Sequence, residues 1–248
     1  FHMKKNKIFN IILDNLKTLI GALIIAILIR SLVVQPFYIP SSSMEPTLLV
    51  GDRIFVTKYS YGFSKHSFPF SPNFSSQRFF SKNPNQGDLV VFKTPADNRT
   101  DYIKRLIGMP GDEIQFINGA LFINGIQIKR ELIEIVEPIR CGNFILNTQV
   151  FIETLPNGVK YFAAYNKEGT LQNTKKYKVP KNHYFLMGDN RDCSKDSRFL
   201  GEVGYVMGLN LVGKAKIIFF SNDTKKGSLL KFWNLHNTLR LNRTFQGL

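Results

Sequence analysis

INGALFINGIQI, residues Ile117 to Ile128, places two Asn-Gly pairs on either side of the apolar run ALFI. Asn and Gly tolerate the positive φ that a tight two-residue hairpin turn demands at both central positions. Each pair therefore reverses the chain, and the stretch reads as a three-strand antiparallel meander. Working outward, IFVTKY, LVVFK, YIKRLI, EIQFI, HYFLM and KAKIIFF are runs of strand length, rich in β-branched and aromatic residues. Helical periodicity is weak from Gly51 to Ser228. The expected fold is mostly β, an antiparallel coiled or barrel-like sheet domain.

The first forty residues follow another rule. Leu16 to Val34 read LKTLIGALIIAILIRSLVV, close to the roughly 20 apolar residues that cross a hydrocarbon core. A cleaved leader has a similar apolar centre, but Arg30, Gln35, Pro36 and Phe37 follow here in place of a small-x-small junction. An uncleaved transmembrane helix over 16–35 is expected. Lys4, Lys5, Lys7 and Lys17 precede it, so the positive-inside rule keeps residues 1–15 cytoplasmic and carries the rest across. Phe1 and His2, ahead of Met3, are read as vector-derived.

With 33 Lys and Arg against 18 Asp and Glu, the formal charge of +15 favours polyanionic neighbours. Beside a membrane span those neighbours are lipid headgroups, and no nucleic acid is expected. The β domain is assigned to 36–129 and 178–227, interrupted by a polar insertion or ribbon over 130–177. The tail 228–248 is basic and amphipathic, and is read as a helix packing one face on the domain. Tyr59 to Gln86 is dense in Phe, Ser and Pro, and the choice between bilayer contact and core packing stays open. Cys141 and Cys193 are far apart, and free thiols are the default reading.

Familiar hydrolytic signatures are missing. None of His2, His66, His183 and His236 has a triad-like context, and there is no G-x-S-x-G elbow, H-E-x-x-H helix, Walker loop or paired C-x-x-C. No metal and no cofactor are expected. A lysine can replace histidine as base only if burial strips its charge, because an ordinary lysine has a pKa of about 10.4. In YIKRLI, Tyr102, Lys104 and Leu106 share one strand face, which points the Lys104 amine at apolar neighbours. For the three serines Ser41 to Ser43, the non-enzymatic reading is a polar linker.

SSSMEPTLLVGD, QGDLVVFKTP, YIKRLIGMPGD and GDNRDCSKDSR occur in this order. Together they resemble the conserved boxes of the bacterial type I signal peptidases, or leader peptidases, covering the anchor and most of the β domain. The resemblance implies a membrane-anchored serine endopeptidase of the bacterial inner membrane. It would be single-pass with an extracytoplasmic domain, and would remove signal peptides from secretory precursor proteins after small, A-x-A-like residues.

It further implies Ser43 as nucleophile and Lys104 as base. The Ser41 hydroxyl and the Ser43 N–H would form the oxyanion hole. Ser194 would orient the lysine, while Asp189, Arg191, Asp196 and Arg198 would hold the surrounding loop. Ile39, Pro40, Met44, Leu48, Asp101, Tyr102 and Ile103 would line the substrate site. Ser42 has no implied role. Cys193 stands where many relatives carry asparagine, so no family disulfide carries over.

Two rivals remain. A self-cleaving Ser/Lys protein like the SOS-type repressors would cut at Cys141-Gly142, but that bond follows Lys104. A membrane-tethered binding module would use the positive charge alone.

Overall fold

The computed structural model describes residues 2–73, 75–134, 138–166, 169, 172–223 and 238–248, with the backbone alone for 2–8. The chain opens with a helix over His2–Leu32. Its segment Phe9–Leu32 has 24 residues and a mean hydropathy of 2.1, and none of its most apolar window is covered by the rest of the protein. By length and composition it is a candidate membrane span. It ends three residues short of the expected Gln35. Pro36 explains this: the residue before proline avoids helical backbone, and Val34–Tyr38 is already a strand. That strand pairs on one side only, where a proline without an N–H is tolerated.

Beyond the helix the protein is antiparallel β. The main sheet runs in the order Val34–Tyr38, Asp52–Thr57, Leu211–Ser221, Leu89–Lys93, Asp101–Gly108, His183–Met187, Val206–Met207. Leu211–Ser221 is its corner. Its first residues pair with Leu89–Lys93 and its later ones with Asp52–Thr57, through several register shifts. Such shifts bend a strand and increase its twist, which curls the sheet into a half-barrel.

Both faces of the central strands are buried. Leu89 and Val91 enter one apolar cluster with Ile39, Met44, Leu48 and Ile54, while Val90 and Phe92 enter another with Tyr61, Leu106 and Leu186. LVVF is consequently a continuous apolar run rather than an alternating one.

The meander forms as its turns dictate. Glu113–Ile117, Ala120–Ile123 and Ile126–Gln127 pair in sequence. The turn residues Asn118, Gly119, Asn124 and Gly125 have φ of 48, 71, 53 and 78°. Ile114, Phe116, Leu121 and Ile123 pack beneath it on Ile107 and Phe185.

The described residues of 130–177 include several strands. Lys129–Ile133, Thr148–Thr154 and Lys160–Asn166 make a second antiparallel sheet, and Arg140–Cys141 with Phe144–Ile145 a short hairpin. In the aromatic segment a Ser64-capped turn at Lys65–Ser67 packs inward, while Phe70 and Phe80 stand exposed. Of the tail over 228–248, read as a helix, residues 228–237 lie outside the described residues. The described end of the tail folds back instead, adding Gln246–Gly247 as a strand on Leu211–Ser221.

Candidate active site

Ile39 and Asp52 bracket the serine segment. Ile39 N–H donates to the Asp52 carbonyl and Gly51 N–H to the Ile39 carbonyl, closing residues 40–50 into a loop on the sheet edge. Gly51 has a φ of 99°, a conformation that glycine adopts without strain. Met44 and Leu48 turn into the core beneath the loop, fully buried, and Ile39 joins them there, so the serines are anchored between Ile39 and Met44.

Ser43 and Lys104 meet. Lys104 Nζ lies 2.6 Å from Ser43 Oγ, although 61 residues separate them. The lysine is only 4% exposed. Burial is the main cause that lowers its pKa to about 8; Asp196 and Asp189 pull it up and Arg198 pushes it down. Its ammonium also sits 5.5 Å from the centroid of the Tyr102 ring, the neighbour on its strand face. Near pH 8 the amine is thus half neutral and can accept a proton from the hydroxyl it touches. Ser41 Oγ is 3.4 Å from Ser43 Oγ at the exposed mouth.

The loop Gly188–Arg198 grips this pair from behind. Asn190 N–H donates to the Ser43 carbonyl at 3.2 Å, and Asn190 Nδ2 to the Ser42 carbonyl at 3.0 Å. Gly188 passes so close that a Cβ there would stand 2.5 Å from the Ser43 carbonyl oxygen and 2.2 Å from Ser194 Oγ. Ser194 is buried beside Asp196, whose carboxylate its hydroxyl helps to stabilise, and among the described residues no hydrogen bond joins it to Lys104.

Each scaffold residue has a partner. Asp189 accepts from Arg105 Nε at 2.8 Å and Arg105 Nη2 at 2.6 Å, as well as from Thr47 Oγ1. Asp196 accepts from Arg198 Nε and Nη2, both at 2.8 Å, and from Gly188 N–H. Burial is the largest influence on Asp196 and raises its pKa, but the Arg198 charge together with hydrogen bonds from Arg198, the Gly188 N–H and Ser194 outweighs it, and the carboxyl stays below its ordinary value. Arg191 donates to Glu153 at 2.7 Å and to the hydroxyls of Tyr161 and Tyr165.

Several of these residues escaped sequence reasoning. Glu153, Tyr161 and Tyr165 come from the insertion, whose motifs were silent, and only the isolated buried charge of Arg191 calls for them. Arg105 directly follows Lys104 in the same box and could have been assigned by its alternation to the opposite face. Ser42 is a correction. It is buried, its Oγ accepts from Gly142 N–H at 3.1 Å and lies 3.6 Å from Cys193 Sγ, so it is a fixed link rather than a spacer. The cysteines also differ from the default reading. Cys141 and Cys193 form a disulfide with Cα atoms 5.5 Å apart, because the hairpin after Arg140 folds onto the Gly188–Arg198 loop.

A cavity of about 410 Å³ opens over Ser43 and Lys104. Ile39, Pro40, Met44, Asp101, Tyr102 and Ile103 line it. Leu48 does not; it packs in the core behind Met44. Cys193 and Lys195 stand at its far wall.

Known proteins share this arrangement of sequence. Residues 12–220 match the family described as signal peptidase, peptidase S26. A signal peptidase I of Rickettsia conorii is 41% identical, the match covering 90% of this chain and 88% of the relative. One of Rickettsia bellii is 38% identical, covering 94% and 84%. Among solved structures, a signal peptidase I from Enterococcus faecalis V583 is 25% identical, covers 54% of this chain and 97% of that chain, and has a TM-score of 0.31. The match runs from inside the apolar helix to the last long strand and takes in every residue of the Ser43 and Lys104 site: the chain belongs to the signal peptidase family, peptidase S26.

Proposed function

We propose that this signal peptidase is a membrane-anchored endopeptidase that cleaves signal peptides from secretory precursors with a Ser43–Lys104 dyad. Ser43 Oγ attacks the scissile carbonyl carbon while neutral Lys104 takes its proton. The C–N bond of the tetrahedral intermediate then breaks, and the ammonium returns a proton to the leaving amine. Water, deprotonated by the same amine, hydrolyses the acyl-enzyme and frees Ser43. The developing oxyanion lies within reach of the Ser41 hydroxyl and the Ser43 N–H, where each donor contributes about 3 kcal/mol to the barrier.

The observation that carries this reading is the 2.6 Å approach of Lys104 Nζ to Ser43 Oγ in a buried site. Ser194, Asp189, Arg191, Asp196 and Arg198 act by position, holding the loop against the dyad.

Substrate specificity follows from shape. An extended peptide laid along Asp101–Ile103 would present alternate side chains to the cavity. Ile39 and Met44, both buried, line that cavity, and the reading assigns its subsites to small residues of the A-x-A kind. The helix Phe9–Leu32 anchors the enzyme, with the basic N-terminus in the cytoplasm and the site at the extracytoplasmic surface.

The test uses purified protein in detergent and a synthetic precursor with an Ala-x-Ala junction. Cleavage at the junction by the unaltered protein and none by a folded Ser43→Ala variant is expected. Equal cleavage by both would remove Ser43 from the chemistry, and no cleavage by either would favour a binding module.

A further inference from the structure

The substrate cavity shares a wall, formed by Phe37 and Asp101, with a second cavity of about 430 Å³. The end of the apolar helix supplies Arg30 to this second space, the turn after Lys65 supplies His66 and Phe70, and the adjoining strand and loop supply Lys93 and Arg99. Its charge is one-sided. Asp101 is its one carboxylate, and that group is held by Lys93 at 2.9 Å. Asp97, in the same loop, is already committed to Thr94, Thr100 and the N–H groups of Arg99 and Thr100.

Lys58 is buried nearby and its ammonium reaches only the His66 carbonyl, at 3.4 Å. Burial is the main cause that lowers its pKa to about 8; Asp101 pulls it up, and Arg30, Lys93 and Arg78 push it down. His66 is 4% exposed; its Nδ1 bonds Ser71 Oγ, and its Nε2 is buried without a partner. The space is therefore ringed by cations and offers an unused imidazole nitrogen, the chemistry that holds a phosphate.

Its position selects the kind of phosphate. Arg30 lies in the last turn of the 24-residue apolar segment, at the depth where a headgroup meets a long basic side chain. Phe68, Pro69 and the fully exposed Phe70 form its lip, an apolar rim that acyl chains can cover and a free anion cannot use. We propose that this cavity binds the phosphate of an anionic phospholipid, seated between the anchor and the catalytic domain with its headgroup against the wall of the substrate groove. The proposal rests on the reading that the helix spans the membrane.

The full chain, purified in nonionic detergent, is mixed with equal amounts of phosphatidylglycerol and phosphatidylcholine, and retained lipids are counted by native mass spectrometry. Preferential retention of one phosphatidylglycerol is expected. Arg30→Gln with Arg99→Gln should weaken it on the order of tenfold. Lys175→Gln with Lys178→Gln, exposed residues elsewhere carrying the same charge change, should leave it unaltered.

Equal loss in both pairs would show diffuse surface charge, and no loss in the first pair would empty the cavity of its proposed role; either overturns the proposal. Inorganic phosphate is the second arm. If it binds alone and displaces the lipid, the cavity is a free-phosphate site and the lipid assignment falls. Alkaline extraction of membranes reads the anchor separately: release of the unaltered protein would overturn the spanning helix, whereas a membrane-retained protein with no lipid preference would overturn the cavity alone.

Discussion

At the scale of single residues, the proposed dyad depends on a lysine that is cheap to discharge. Lys104 has a pKa lowered to about 8, burial being the largest cause. The active form is the neutral amine, so the sign is fixed: kcat/KM should rise with pH, by about tenfold per unit below pH 8, and level off above it. A pH–rate profile on a soluble peptide substrate measures this, and a limb near pH 6 would point to a different base. Ser41 is the second residue-scale case. Its hydroxyl is exposed and stands 3.4 Å from the Ser43 hydroxyl. Ser41→Ala should lower kcat by about a hundredfold with KM nearly unchanged, because the lost donor acts on the transition state. Steady-state kinetics would separate this from a binding role, which would raise KM instead. Ser43 and Lys104 could be picked out of the sequence because their boxes are local and their chemistry is restrictive. Ser42 could not, since its partners Gly142, Asn190 and Cys193 are a hundred or more residues away.

At the scale of elements, the strands carrying the site were legible and their partners were not. Asn118-Gly119 and Asn124-Gly125 are turn signals contained in two residues each, and Leu89 to Phe92 is an uninterrupted apolar run. The sheet of the insertion has no such signature: Lys129–Ile133 holds no fully buried residue, and Lys160–Asn166 sets exposed Phe162 between buried Tyr161 and Ala163, so apolar character does not mark its inner face. It nevertheless supplies the counter-charge of the catalytic loop. Arg191 and Glu153 are both about 1% exposed and joined at 2.7 Å. Glu153→Ala would leave a buried guanidinium without its carboxylate, a loss of about 3–5 kcal/mol. The expected outcome is a large drop in melting temperature together with lower kcat. Tyr165→Phe, which removes one neutral partner of the same guanidinium, should cost only about 1 kcal/mol. Comparable losses from the two variants would mean that the ion pair is not the stabilising part of the cluster.

At the scale of the whole molecule, the Cys141–Cys193 bond joins the insertion to the loop behind the dyad and closes 52 residues. Cysteine spacing could not reveal this, since the pair meets only after the hairpin has folded across the site. Cys141→Ser with Cys193→Ser should lose about 2–4 kcal/mol of stability, and kcat should fall as Ser194 and Asn190 loosen. Melting curves with and without reductant provide the check; the double-serine variant should be insensitive to reductant, and an unaltered protein equally insensitive would argue against the crosslink. The spacing of the parts has a last consequence. In the proposed dyad Ser43 comes 61 residues before its base, and the Asn190 clamp lies 148 residues beyond Ser42. A growing polypeptide thus exposes that hydroxyl long before anything can deprotonate it. On that reading the nascent protease is latent until the ribosome has passed the clamp.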